Sequence, residues 1–222
     1  SYSLTANTTG SSNVAIGRSS LNNNTGSSNT AVGRKALETN TTASNNTAVG
    51  YYALLGNTTG GYNTGLGSQA LKTNSNAAFG YAAMEANTTG AQNTGLGYAA
   101  LRANTTGANN VAIGRDSLLA NTTAASNTAV GATSMIANTN GHSNSAFGRS
   151  SLIANTTGDH NTAIGYAALL ANTTANDNTA VGYSSLGANT TGIANVAVGK
   201  DALLSNTTAS VNTGIGYFAL KA

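Results

Sequence analysis

The 222-residue chain carries charge on only 7% of its residues and contains no Pro, Cys or Trp. Its net charge of +3 is too weak and too dispersed for a nucleic-acid-binding protein, and no apolar run approaches the roughly 18 residues of a membrane span. The absence of cysteine excludes disulfides. Disorder is disfavoured because 40% of the residues are hydrophobic and are placed with strict regularity.

A short unit recurs along the whole chain, with the consensus N-T-A-V-G-Y-x-A-L-x-x-N-T-T-G-x-x. One glycine of this unit, the corner glycine, is spaced by seventeen residues in ten of twelve intervals, by sixteen in one and by thirteen in one. The corner glycines are Gly17, Gly33, Gly50, Gly67, Gly80, Gly97, Gly114, Gly131, Gly148, Gly165, Gly182, Gly199 and Gly216. Because one such unit cannot bury an apolar face alone, successive copies must stack. The repeat predicts an all-β parallel β-solenoid, or β-roll, of about thirteen 17-residue coils, which forms a single domain over 1–222.

The first predicted element of each unit is a strand that ends at the corner glycine. The residue before that glycine is always apolar, Thr or Val usually stands two residues earlier, and Ala or Gly lies between them. This alternation is the period of a strand. We expect the apolar column to be buried and the Thr column to be at least partly buried, because Thr exchanges with the similarly shaped Val. The strict smallness of the Ala column predicts a close neighbour, either the opposite wall of a thin coil or another chain. The apolar column comprises Ile16, Val32, Val49, Leu66, Phe79, Leu96, Ile113, Val130, Phe147, Ile164, Val181, Val198 and Ile215.

The second predicted element is a strand-like segment around a Leu or Met four residues after the corner glycine, which we also expect to be buried. This Leu column comprises Leu21, Leu37, Leu54, Leu71, Met84, Leu101, Leu118, Met135, Leu152, Leu169, Leu186, Leu203 and Leu220. The Asn-Thr-Thr-Gly/Ala stretch then forms the second corner. The thirteen-residue interval lacks four residues of this corner, around Lys72–Ser75, which predicts an expandable loop. The first strand residue is Asn in every unit, from Asn13 to Asn212. Stacked Asn side chains can form an amide ladder, although Asn also tolerates corner geometry.

The residue after the corner glycine forms an outward column, the Tyr/basic stripe. It contains six of the nine Tyr and five of the nine basic residues. Such residues favour interfaces, and stacked Tyr–Arg neighbours gain cation–π energy. The stripe is therefore a candidate surface for a partner or glycan, or a ladder that covers the corner. The candidate residues are Arg18, Arg34, Tyr51, Tyr81, Tyr98, Arg115, Arg149, Tyr166, Tyr183 and Tyr217; Ser68, Ala132 and Lys200 complete the column.

The titratable residues cluster once, at the second corner, where stacking should bring His142, Asp159, His160 and Asp177 together. Such groups can bind a metal or transfer protons, but this corner faces solvent and offers no third carboxylate. We expect no metal, no cofactor and no catalytic residue here. Ten Asn-Thr-Thr sequons also recur, but the corner chemistry accounts for them without glycans.

The segments Asn13–Gly17 and Asn110–Gly114 resemble the head repeats of trimeric autotransporter adhesins, and the longer unit, as in Asn46–Leu54 with Asn57–Gly60, is similar to repeats of bacterial and phage tail-fibre-domain proteins. The resemblance covers essentially the whole chain, although the unit is longer than the roughly fourteen residues of the adhesin repeat. It implies a left-handed roll, a homotrimer, and a location outside the cell, on its surface or on a virion fibre. Because neither end resembles a cap, we interpret the chain as a segment of a longer fibre or as a unit that stacks end to end into a filament.

Three function classes are compatible with a solenoid. A structural fibre or adhesin shaft, which mediates surface attachment, is the best supported. An ice-binding solenoid requires an exposed, flat Thr column, and the exchange of Thr with Val places that column inside the coil or at an interface instead. A carbohydrate-active enzyme requires clustered carboxylates, whereas this chain has only six acidic residues, which are scattered. The sequence therefore predicts a protein that is not an enzyme, with a glycan-binding tail-fibre segment as a further alternative.

Overall fold

The computed structural model describes residues 2–71 and 76–220, and it forms one sheet of thirteen parallel strands. Each strand pairs with its neighbours in chain order, so the chain winds into a solenoid. This confirms the all-β solenoid that the repeat predicts. The strands are β1 (Val14–Ile16), β2 (Thr30–Val32), β3 (Thr47–Val49), β4 (Thr64–Leu66), β5 (Ala77–Phe79), β6 (Thr94–Leu96), β7 (Val111–Ile113), β8 (Thr128–Val130), β9 (Ser145–Phe147), β10 (Thr162–Ile164), β11 (Thr179–Val181), β12 (Val196–Val198) and β13 (Thr213–Ile215).

The register of the sheet places equivalent residues of successive units directly over one another. β7 and β8 align Val111 with Thr128 and Ile113 with Val130. The register also holds across the thirteen-residue interval, where Thr64 of β4 lies opposite Ala77 of β5. The residues 72–75 of the expected expandable loop lie outside the described residues. Each column of the sequence therefore becomes a line along the solenoid axis.

The core is a thin layer in which small residues of the sheet face large residues of the opposite wall. From Leu21 to Leu203 the Leu column is at most 3% exposed, and the Ala column is buried in all coils but the first. A Cβ atom on Gly65 would lie 3.3 Å from Leu54 Cγ, and one on Gly95 would lie 3.1 Å from Met84 Cε. The burial of the Leu column is confirmed from Leu21 to Leu203, whereas Leu220 in the last coil is 60% exposed. The close neighbour expected for the Ala column is the opposite wall of the chain's own coil.

The expectation that the apolar column is buried is wrong. Side chains alternate between the two faces of a strand, so an inward Ala places its neighbours on the outside. Leu96 is 46% exposed and Phe147 is 41% exposed, while Val32 and Val130 are half-buried. The Thr column lies on the same outer face and is half-buried in most coils. The expectation that this column is partly buried is confirmed, but its placement inside the coil is wrong.

The prediction of a second strand-like segment in each unit is also wrong, because the chain forms consecutive tight turns there. The amide of Ala53 donates to the carbonyl of Gly50 at 3.3 Å, and that of Asn57 donates to the carbonyl of Leu54 at 3.2 Å. Leu54 has φ of +52°, in the left-handed region, as does every member of the Leu column. Pairing between coils nevertheless continues on this wall, because the amide of Leu54 donates to the carbonyl of Ala70 at 3.0 Å.

Two buried columns of Asn flank the core, and the ladder expected for the first strand residue is confirmed. The backbone N–H of Asn46 donates to the side-chain oxygen Oδ1 of Asn29 at 3.0 Å, and the contact recurs from coil to coil. The Asn of the Asn-Thr-Thr stretch forms a second ladder, in which Asn121 Nδ2 donates to Asn104 Oδ1 at 2.9 Å. Eight of the ten sequon Asn side chains are fully buried. Their amide groups bond within the fold, which supports the reading of the sequons as corner chemistry.

We expect Gly131→Ala to destabilise the solenoid. Gly131 has φ of +133°, and an added Cβ would lie 2.5 Å from the carbonyl oxygen of Gly148 in the next coil. The backbone conformation alone should cost about 1–3 kcal/mol, and the clash adds to it. Gly61→Ala is the matched control, because its equivalents in other coils are Ala91, Ala108 and Ala125. Thermal unfolding followed by circular dichroism should show a lower midpoint for Gly131→Ala alone; equal midpoints would contradict this account of the corner.

Candidate interaction surfaces

The outer face of the sheet, here called the strand face, consists of the Thr column and the apolar column. The fixed register makes each column a straight row. With a spacing of about 4.8 Å between strands, thirteen strands extend over roughly 60 Å. Away from the two end strands, Leu66, Leu96, Phe147 and Ile164 are 41–46% exposed, and the other members of the apolar column are half-buried. Contiguous apolar surface of this extent is typical of an interaction site.

The strand face carries no charge, since none of the thirteen strands contains an acidic or basic residue. Acidic and basic side chains normally lie on the exposed surface of a soluble protein. Here the charges lie beside the face instead, in the stripe that follows the corner glycine. An outward face without charge and with a continuous apolar row is typical of an interaction surface.

The Tyr/basic stripe runs along the corner next to the strand face, and its side chains stack as expected. The rings of Tyr81 and Tyr98 are 5.2 Å apart with an interplanar angle of 14°, and Tyr166 and Tyr183 repeat this geometry at 5.2 Å and 16°. The expected cation–π neighbours are confirmed for several members of the stripe. Arg149 Cζ lies 5.9 Å from the centre of the Tyr166 ring, and Lys200 Nζ lies 5.6 Å from the rings of both Tyr183 and Tyr217.

The first part of the stripe is less regular. Arg34 Nη1 donates a hydrogen bond to Tyr51 Oη at 3.1 Å, while Tyr52 packs edge-on against Tyr51 with 4.1 Å between ring centres. Hydrogen bonding with Tyr52 raises the pKa of the Tyr51 phenol above its ordinary value, with desolvation as a further cause. Arg115 forms an ion pair with Asp116 at 3.2 Å, and Arg18 is exposed. The role of the stripe as a partner or glycan surface stays a prediction.

The His/Asp residues of the second corner come together as expected, and they bond mainly to the backbone. Asp159 Oδ1 accepts from the amide of His142 at 2.6 Å, and His142 Nδ1 accepts from the amide of Ala125 at 3.0 Å. His160 Nδ1 lies 3.6 Å from Asp177 Oδ1. Within 2–71 and 76–220, no group of three or more His, Asp and Glu side chains could hold a metal ion.

A second outward apolar row was missed by the sequence analysis. It follows the Leu column by one residue and occurs in the later coils, where Leu119, Ile136 and Ile153 are half-buried and Leu170 is 39% exposed. Earlier coils carry Glu38, Glu85 and Arg102 at equivalent positions, with Glu85 and Arg102 paired at 2.9 Å. The sequence feature that could have revealed this row is the change from charged to apolar residues along one column. The row is shorter than the strand face and lies on the opposite wall of the solenoid.

Comparisons with protein-family models, with curated proteins and with solved structures found no match. None of the described residues forms a helix that is long and apolar enough to cross a membrane.

Proposed function

We propose that the chain is a structural segment of an extracellular fibre or adhesin shaft, and that copies of it associate side by side with parallel axes through the strand face. The observation that supports this proposal is the uncharged strand face, which points outward along thirteen consecutive coils and is half-buried or exposed in each of them. The resemblance to trimeric fibre repeats favours a homotrimer. In this proposal the rod serves surface attachment on a cell or virion, and it performs no catalysis.

The size of the strand face is adequate for association. A face about 60 Å long and about 10 Å wide, as expected for three-residue strands at this spacing, has an area of about 600 Å², which is about the lower limit per partner of a standard interface. Because the face is rigid and its side chains are short and mostly β-branched, little conformational entropy is lost when it is covered. These properties favour an assembly that is stabilised along its whole length.

We expect the native protein to form a trimer that Val130→Asp dissociates. Val130 lies in the middle of the apolar column and is half-buried in the single chain, so the introduced carboxylate would be desolvated only in the assembly. Light scattering should give three times the chain mass of 21.8 kDa for the parent and a lower mass for the variant. Circular dichroism should show that the variant remains β-structured.

Ala132→Asp is the matched control, because Ala132 lies in the same coil but in the Tyr/basic stripe. This variant introduces the same charge outside the strand face and should retain the parental mass. A monodisperse parent monomer, or equal dissociation by both substitutions, would contradict assembly through the strand face.

Ice binding is a second candidate, and the outward Thr column favours it. Thr occupies eight of the thirteen positions of this outward column, and these side chains are half-buried or exposed in the single chain. Against this function, the neighbouring apolar column varies from Val130 to Phe147, so the face does not present a uniform lattice. A monomer that shows thermal hysteresis in a freezing assay would favour ice binding, whereas an oligomer without hysteresis would favour the fibre.

A further inference from the structure

Tyrosine is the most readily oxidised side chain that this protein presents to solvent. The sequence contains no Cys and no Trp, and it contains only two Met. Both of them, Met84 and Met135, are completely buried in the Leu column. By contrast, Tyr81, Tyr98, Tyr166 and Tyr183 are each about half exposed, at 45–53%. A one-electron oxidant that reaches the surface of the solenoid therefore meets phenols first.

Four of the tyrosines are held as two face-to-face pairs. Tyr81 and Tyr98 lie in adjacent coils, with 5.2 Å between ring centres and an interplanar angle of 14°. Tyr166 and Tyr183 have nearly the same geometry. The register of the sheet keeps the two backbones of each pair one strand spacing apart. Phenoxyl radicals formed at such a pair are held next to each other at high effective concentration.

The remaining tyrosines do not form such pairs. Tyr62 projects from the second corner and is 77% exposed, and Tyr217 packs edge-on against Phe218. Tyr51 and Tyr52 are adjacent in sequence and meet at an interplanar angle of 72°. The chain thus contains two kinds of control: Tyr62, which has no stacked partner among the described residues, and Tyr51 with Tyr52, whose ring centres are 4.1 Å apart but which meet edge-on rather than face to face.

We propose that Tyr81–Tyr98 and Tyr166–Tyr183 are oxidative cross-linking sites, at which a haem peroxidase acting with hydrogen peroxide joins neighbouring coils as dityrosine. Each phenol loses one electron and one proton, and the two radicals couple at their ortho carbons. One C–C bond forms, and the ortho hydrogens move to the phenol oxygens as the rings regain aromaticity. The pair loses two hydrogens in total, and one hydrogen peroxide is reduced to two waters.

The cross-link would act as a covalent staple between coils in a protein that cannot form disulfides. Each staple closes a loop of one repeat and so restricts the unfolded chain, as a disulfide of similar span does. The stripe lies beside the strand face rather than on it, so cross-linking leaves the proposed association surface unaltered. The inference therefore does not depend on the proposed function.

Peptide mapping after limited oxidation of the dilute native protein tests this proposal. Trypsin, cutting after Lys and Arg, releases residues 73–102 with Tyr81 and Tyr98 as their only tyrosines, and residues 150–200 with Tyr166 and Tyr183 as theirs. Both peptides should lose the mass of two hydrogens and show dityrosine fluorescence. The peptide 36–72, with Tyr51, Tyr52 and Tyr62, should lose none.

Conservative variants and a denatured control complete the test. Tyr98→Phe keeps a ring in the stack and should abolish the mass loss in 73–102 while that in 150–200 persists; Tyr183→Phe should do the reverse, and Tyr62→Phe should change neither. Oxidation in denaturant should remove the selectivity. The proposal would be overturned by a mass loss in 36–72 equal to that in the paired peptides, by equal yields in the native and denatured protein, or by cross-links that join only separate chains.

Discussion

Leu118→Asp should unfold the coil in which it lies, whereas Leu119→Asp should leave the solenoid folded. Leu118 lies on the wall opposite the sheet, and its side chain is completely buried in the core. Leu119 belongs to the outward row and is half-buried. Loss of a buried Leu costs about 2–5 kcal/mol, and an unpaired carboxylate in the same space adds several more. Leu118 has φ of +49°, a conformation that Asp tolerates better than Leu, so backbone strain does not cause the loss.

The measurement must resolve local unfolding, because each coil of a solenoid is stabilised mainly by its nearest neighbours. Hydrogen exchange should show lost protection around β7 and β8 in Leu118→Asp, with the more distant coils less affected. Circular dichroism should show an earlier and broader transition than in the parent. Equal protection in Leu118→Asp and Leu119→Asp would mean that the two walls are not packed as the structure shows.

The columns of the solenoid could be predicted from the sequence, but their inward or outward direction could not be read from hydrophobicity. Thr128, Ala129 and Val130 show the period of a strand, which requires Thr128 and Val130 to share one face. The larger apolar residue suggested that this face is the inner one. The actual constraint is space, because the coil is thin enough for the Ala column to touch the Leu column. The complementary sizes of these two columns, small opposite large in every coil, were the more informative pattern.

The turns of the opposite wall could not be predicted because Leu seldom adopts positive φ. A non-glycine residue in the left-handed region is uncommon, and local preference gives no reason to place Leu54 there. The stacked coils impose this conformation. The side chain must enter the core while the chain returns toward the next Asn, and inter-coil hydrogen bonds hold the strained residue in place.

The sequence predicted some of the candidate surfaces better than others, depending on how constant each column is along the chain. The Tyr/basic stripe could be recognised because each coil contributes one residue at a fixed offset from the corner glycine. Tyr52 and the row from Leu119 to Leu170 escaped notice because their columns change character along the chain. The strand face was assigned to the core, so it could be considered as an association surface only once its outward direction was known.

The buried Asn ladders provide the second large effect, since Asn110→Asp should destabilise the protein far more than Asn109→Asp. Asn110 is completely buried; its Nδ2 donates to the carbonyl of Ala124 at 2.9 Å, and its Oδ1 accepts from the amide of Asn127 at 3.0 Å. A carboxylate can fill only the accepting role, and it would place a negative oxygen against the Ala124 carbonyl. An unsatisfied buried polar group costs about 1–3 kcal/mol, and a charged one costs more. Asn109 is exposed at the corner with φ of +58°, which Asp also tolerates.

The pH dependence of the Asn110→Asp variant gives this explanation a separate test. Burial and the loss of a donor should raise the folded-state pKa of the introduced carboxyl above its unfolded value. Protonation of this carboxyl then stabilises the folded state. That stabilisation is fully present below the unfolded-state pKa and is lost as the pH rises through the folded-state pKa. The deficit in the unfolding midpoint relative to Asn109→Asp should thus be largest at neutral pH and should shrink in acid. A deficit that grows as the pH falls, or equal midpoints for both variants at neutral pH, would show that the Asn ladder does not depend on the amide donor, and that the corner geometry alone selects Asn.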